Sequence, residues 1–198
     1  SFTREATTLQ RLGTHNQIPR LLAFFEENSE FFLVQEFIDG NNLRAELSLG
    51  KRGNENQVIF LIRDILEVLQ FVHQQGVIHR DLKPENIIRR KTDGKIVLID
   101  FGAVKEVSTQ VFNTQGDVVS TTYIIGTPGY MPVEQLRQNP MLSSDIYAVG
   151  MIALEALTGS YPTDFVDSYT GQVMWRNRVR VRSDLMSCLD KMVAYHPD

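Results

Sequence analysis

The stretch Gln57–Ile88 constrains this chain more than any other. Its first part carries Val58, Ile59, Leu61, Ile62, Ile65, Leu66, Leu69 and Val72 at helical spacing. That wide apolar face predicts a helix over Gln57–Gln74, stopped by Gly76. Its second part, GVIHRDLKPENII, places Asp81, Lys83 and Asn86 close together on a loop directly after the helix. Three polar groups in that position point to chemistry.

Taken chemically, Asp81 is a carboxylate able to accept a proton from, or orient, an attacking hydroxyl. Lys83 is a fixed cation two residues on, and in an extended segment positions i and i+2 face the same way. Asn86 offers an uncharged oxygen that suits a hard cation such as Mg²⁺. Further on, IDFG puts Asp100 at the end of a strand, where Asn86 and Asp100 can share a metal. Carboxylate, cation and metal site together suit phosphoryl transfer, whose loose transition state needs positioning and charge neutralisation more than covalent chemistry.

Around this loop the pattern is mixed. Phe2, Ala6, Leu9 and Leu12 predict a first helix ending at Gly13. IPRLLAFFEENSEFFLVQEFIDG reads as two short strands around the turn Glu26–Glu30, and Asn42–Leu49 as a short helix. Ile87–Ile88 and Ile96–Ile99 flank Asp93-Gly94, a hairpin signal. Ser108–Thr122 is polar and aperiodic, a long mobile loop of a kind uncommon unless functional. Helices resume near Ser144–Leu157 and Ser183–Tyr195. Strands early and helices late argue for α+β.

The bulk numbers exclude some classes. A net charge of −4 over 198 residues does not point to nucleic acid or an anionic membrane surface. The most apolar run, Ile146–Gly159, is too short to span a bilayer and contains Glu155, so it reads as a buried helix. The N-terminus lacks the apolar region of a signal peptide. Cys188, the one cysteine, implies a reducing cytoplasmic setting and reads as a small packed hydrophobe. In Arg176–Arg182, RNRVRVR, alternation reads as a half-exposed extended segment in preference to a substrate or nucleic-acid patch, and Trp175 reads as packing.

The motifs resemble the eukaryotic-like (Hanks-type) serine/threonine protein kinases, in a style seen in bacteria and particularly cyanobacteria. His79-Arg80-Asp81-Leu82-Lys83-Pro84-Glu85-Asn86 fits the catalytic loop of that family. Asp100-Phe101-Gly102 fits its metal-binding motif, and Gly126–Glu134 fits the end of its activation segment. Asp145–Gly150 resembles the start of its buried central helix, and the resemblance covers the whole chain. It implies a two-lobe kinase fold, with residues 1–38 as the remainder of the small lobe and 39–198 as hinge and mainly helical lobe.

The resemblance further implies Asp81 as catalytic base, Lys83 as stabiliser of the transferring phosphate, and Asn86 and Asp100 as Mg²⁺ ligands. Thr127 is expected to hydrogen-bond Asp81, and Lys83 two places after Asp81 is the serine/threonine form of the loop. Gln35 falls at the gatekeeper, Glu36 to Ile38 at the adenine hinge, and Ile88 under the adenine ring. Glu5 matches the glutamate that pairs with the ATP-binding lysine. Leu9, Leu21, His79 and Phe101 would stack as a spine anchored to Asp145. Arg80 and Lys105 would meet a phosphate on Thr121 or Thr122.

The expected activity is therefore ATP-dependent phosphorylation of protein serine or threonine hydroxyls in signalling. Two alternatives share parts of the pattern: a pseudokinase that only binds, and a small-molecule phosphotransferase of the aminoglycoside or choline kinase sort. The intact Asp81, Lys83, Asn86 and Asp100 argue against the first, and Lys83 with the Gly-Thr-Pro-x-Tyr segment against the second. The family's Gly-rich loop and strand lysine would lie upstream of Glu5, and Pro132-Val133-Glu134 keeps only the glutamate of its motif. The chain is thus expected to be a piece of a longer kinase, with sensor domains possible beside it. Alone it is expected to be inactive and poorly stable, with Glu134 left unpaired.

Overall fold

The structure, a computed structural model, describes residues 2–101, 111–112, 118–119, 126–167 and 170–194. Helix α1, Phe2–Leu12, buries Ala6, Leu9 and Leu12, and the Gly13 amide closes it on the Leu9 carbonyl at 2.9 Å. Strands β1 (Leu21–Glu27) and β2 (Glu30–Gln35) then form an antiparallel hairpin. Its tip is Asn28-Ser29, both at positive φ (51° and 63°), the twist that a two-residue hairpin loop demands. Phe25 and Phe32 stack across the strands with centroids 5.2 Å apart. Leu22, Phe24, Phe25, Phe31, Phe32 and Val34 all reach solvent.

Strand β3 (Gly40–Asn42) leads into the short helix α2 (Leu43–Glu46), where the Asn42 side chain accepts the Ala45 amide. Helix α3 spans Glu55–Gln74, starting two residues before the Gln57 expected from its apolar stripe. The reason is a reciprocal cap: Asn54 Oδ1 takes the Gln57 amide and Gln57 Oε1 takes the Asn54 amide. Strands β4 (Ile87–Arg90) and β5 (Ile96–Leu98) pair with β3 into a three-stranded antiparallel sheet, order β3-β4-β5. The hairpin between β4 and β5 turns at Gly94, φ 72°.

Of Ser108–Thr122, the described residues are Val111–Phe112 (β6) and Val118–Val119 (β7). They pair antiparallel, a contact too short to leave a pattern in the sequence. Lys105, Thr121 and Thr122 lie outside the described residues.

The remaining helices are α4 (Val133–Leu136), α5 (Leu142–Thr158) and α6 (Ser183–Met192). Helix α5 is the hub: every residue from Tyr147 to Thr158 is buried, so over that span it is a core helix with no solvent face. It packs against α3 on one side and α6 on the other. Gly150 makes the second crossing possible, because a Cβ there would lie 2.7 Å from Val193 Cγ1 and 2.9 Å from Met192 Cβ. Glu155, the charge in this apolar run, is held by Arg44 and Tyr130.

The basic stretch is tied down by partners. Arg176 pairs with Asp190, Arg178 donates to the Asp164 carbonyl, and Arg182 pairs with Glu55. Val179 and Val181 pack against the core, and Trp175 is buried with its indole N–H on Asp190 at 3.1 Å. Two expectations need correction. Cys188 is exposed, on the outer face of α6, with its thiol 4.0 Å from Met192 Sδ. Helix α6 ends at Met192, short of Tyr195, which lies outside the described residues.

Candidate active site

The loop after α3 is held from below. Asp145, on the first turn of α5 and 1% exposed, accepts the His79 amide on Oδ2 (2.9 Å) and the Arg80 amide on Oδ1 (3.0 Å). His73, near the end of α3, adds its Nε2 to Oδ2 at 2.8 Å. The Arg80 backbone is left-handed (φ 69°), an uncommon conformation for a side chain of that size. Its carbonyl is fixed as well, accepting Gln135 Nε2 from α4. Both ends of a strained residue are therefore pinned by buried side chains, and the strain persists because its surroundings over-determine it.

His79 is wholly buried, its ring 4.6 Å from that of Phe101. Its Nε2 donates to the Ile99 carbonyl at 3.1 Å, which fixes the tautomer, while Nδ1 has no hydrogen-bond partner among the described residues. Burial holds its pKa below the ordinary 6.5, against the raising effect of Asp145. Leu9 and Phe101 belong to the core, and Leu21 packs against it half-buried.

Asp81 is the meeting point above this base. Thr127 Oγ1 donates to Asp81 Oδ1 at 2.8 Å. Lys83 Nζ lies 2.9 Å from Asp81 Oδ2 and 2.9 Å from Thr127 Oγ1. Asn86 Nδ2 donates to the Asp81 carbonyl at 2.9 Å and to Oδ2 at 3.1 Å. Lys83 is extended (φ −159°, ψ 164°), the backbone that sends Asp81 and Lys83 to the same side. The 3₁₀ turn Pro84–Asn86 then brings Asn86 back beneath Asp81. Three of the residues singled out from sequence thus converge on the carboxylate of a fourth.

Asp100 arrives beside them through the backbone, since the Ile99 amide donates to the Asn86 carbonyl at 3.0 Å. Asp100 is solvent-exposed and left-handed (φ 60°). Of the residues expected at a hinge, Gln35 ends β2, and Glu36 and Ile38 lie between β2 and β3. Gln35 and Glu36 are half-buried and Ile38 is buried. Glu36 also pairs with Arg20 at 3.2 Å. Ile88 on β4 sits opposite Asn42, and its Cγ2 is 2.6 Å from where a Gly40 Cβ would stand. Only glycine lets the backbone at Gly40 lie so close to Ile88. The Glu5 side chain lies outside the described residues.

Glu134 is not unpaired as expected. It is half-buried on α4, and Ser144 Oγ donates to its Oε1 at 2.9 Å. A hydroxyl on the next helix supplies the partner. Sequence reasoning also missed His73, Gln135 and a cluster around Arg44, all joined across long separations that no local pattern marks. Arg44 Nε donates to Glu85 Oε1 at 2.7 Å, Nη1 to Glu155 Oε1, and Nη2 to the Tyr130 hydroxyl at 2.7 Å.

Comparison with known proteins agrees with this architecture. Residues 1–196 match the family described as Protein kinase domain. Serine/threonine-protein kinase PknA of Nostoc sp. is 43% identical over 99% of this chain and 35% of its own length. Serine/threonine-protein kinase B of Synechocystis sp. is 44% identical over 97% of this chain and 34% of its own. The chain therefore spans about a third of the length of these relatives. The crystal structure of Rad53 1-466 in complex with AMP-PNP has a TM-score of 0.71 at 25% identity, covering 99% of this chain and 50% of that one. Sequence and backbone agree along nearly its whole length, and the chain belongs to the protein kinase domain family.

Proposed function

We propose that the protein containing this chain transfers the γ-phosphoryl group of ATP to serine or threonine hydroxyls of proteins. The observation that carries the reading is the convergence of Thr127, Lys83 and Asn86 on Asp81. A substrate hydroxyl placed at Asp81 would give its proton to the carboxylate as its oxygen bonds to the γ-phosphorus. The bond to the bridging oxygen breaks, and ADP leaves. Lys83 lies on the same side as Asp81, so its charge would meet the transferring phosphate as the hydroxyl approaches. Thr127 holds Oδ1 and so leaves one orientation of the carboxylate.

The donor set fits Mg²⁺. The Asn86 amide nitrogen is turned toward Asp81, which directs its carbonyl oxygen away from it, and Asp100 supplies a neighbouring carboxylate. One amide oxygen and one carboxylate are what Mg²⁺ takes when waters and phosphate oxygens complete its shell. Bound there with ATP, it would neutralise phosphate charge. The backbone of Glu36–Ile38 would take adenine, with Gln35 behind it and Ile88 beneath, and Glu5 would serve the phosphates through a lysine. Rad53 was crystallised with AMP-PNP, an adenosine nucleotide, on the same fold. Residues 1–38 would form the small lobe and 39–198 the hinge and helical lobe. Among the described residues no helix is long and apolar enough to cross a membrane, and we place this part of the protein in the cytoplasm.

The test is Asp81→Asn in the full-length protein. Turnover on a protein substrate should fall about 10²–10⁴-fold while Mg·ATP affinity is kept. Near-parental turnover would remove the role assigned to Asp81.

A further inference from the structure

We infer that Arg44 is a positioning residue for phosphoryl transfer, locking the catalytic loop and the Thr127–Tyr130 segment to the buried helix α5 through one guanidinium. The inference rests on the kinase reading above. Arg44 lies on α2, far in sequence from everything it binds. Glu85 belongs to the 3₁₀ turn between Lys83 and Asn86, so the Arg44–Glu85 contact acts on the turn that delivers both to Asp81. Tyr130 lies three residues after Thr127, and its amide is bonded to the Thr127 carbonyl at 3.1 Å. Its hydroxyl accepts from Arg44 and donates to Glu155. Glu155, 4% exposed, accepts from both and belongs to the same helix as Asp145.

The loop is thus held from α5 at two places: directly at His79 and Arg80 by Asp145, and through Arg44 at Glu85. The second support also reaches Thr127, which the first does not. Arginine suits the task because each of its three nitrogens faces a different partner in one plane, an arrangement an ammonium cannot copy. Burial opposes the charge on Arg44, but hydrogen bonds to Glu155 and Glu85 outweigh it and raise its pKa. Burial, then Glu155, raises the pKa of Tyr130, so the phenol stays a neutral donor.

A merely structural cluster would be satisfied by any arrangement that leaves no buried charge. The double variant Arg44→Met/Glu155→Gln makes that separation in the full-length protein. It removes the buried carboxylate with its partner, keeps an acceptor for Tyr130, and leaves the half-exposed Glu85 to water. Hydrogen–deuterium exchange is followed at Asn86 and Tyr130, with the core amides of α3 as internal reference. We expect exchange to rise about tenfold or more at both amides, equivalent to about 1.4 kcal/mol, and not in α3. With a generic protein substrate, kcat should fall about 10–100-fold at unchanged KM for ATP. Arg44→Lys should not restore it. Unchanged exchange at Asn86 and Tyr130, or an equal rise in α3, would overturn the inference, as would parental kcat in the double variant. A parent without transfer activity would count against the kinase reading alone, because the exchange comparison still decides the role of Arg44.

Discussion

His79 sits at the bottom of the site as a neutral imidazole whose protonation the fold resists. Desolvation keeps its pKa below 6.5 in the folded state, and His15 is shifted the same way, by burial and then by Lys95. The unfolded chain therefore takes up these protons first on acidification. Stability should be full above about pH 6.5 and decline as pH falls below it. Urea midpoints at neutral and mildly acidic pH measure this. His79→Phe, which keeps a ring against Phe101, should flatten the slope to the share left by His15. A midpoint that rises on acidification would contradict the assignment. At this scale the site was largely legible, because Asp81, Lys83 and Asn86 are neighbours whose spacing already specifies a shared direction. What stayed hidden was pairing at a distance. Nothing near Glu134 announces Ser144, and nothing near Asp145 announces that His73 shares it. Cys188 was misplaced because cysteine is usually buried, whereas here the turn of α6 faces it outward.

Helices report themselves in sequence according to how evenly they are buried. The stripe of α3 is one-sided, so its period was plain, and only its cap moved the start. Helix α5 has no polar side, so its burial was readable from composition while its neighbours were not. Gly150 tests the contact that sequence could not show. Gly150→Ala gains about 1 kcal/mol of helix propensity. Against that, its methyl meets Met192 Cβ, which is fixed to the α6 backbone and cannot swing aside. Overpacking of that kind costs about 1–3 kcal/mol, so the net effect should be destabilising by up to about 2 kcal/mol. Thermal unfolding should show Tm lower by up to about 8 °C. A higher Tm would mean that α6 yields.

At the scale of the whole chain, the β1–β2 hairpin exposes apolar side chains on both of its faces. It displays Phe24 and Phe31 on one face and Phe25 and Phe32 on the other, all solvent-exposed. A sheet that is two-stranded among the described residues and apolar on both faces is a template for association. Residues 1–198 purified alone should associate increasingly with concentration in sedimentation velocity. Leu22→Lys/Phe31→Lys, at positions 60% and 57% exposed, should reduce this at little cost in stability. Unchanged association would place the sticky surface elsewhere.

The anchoring of the loop by Asp145 also has a bearing on synthesis. The His79–Asp145 bond joins residues 66 positions apart, with the anchor made second. At about 5–20 residues per second, translation needs roughly 3–13 s to cover that distance. Through that interval Asp81, Lys83 and Asn86 are already joined in the nascent chain, but the two backbone bonds that Asp145 gives the loop are missing. A ribosome stalled before α5 carries the whole Asp81–Asn86 motif without the carboxylate that fixes the His79 and Arg80 backbone, so the loop reaches its final support only once its central helix has been made.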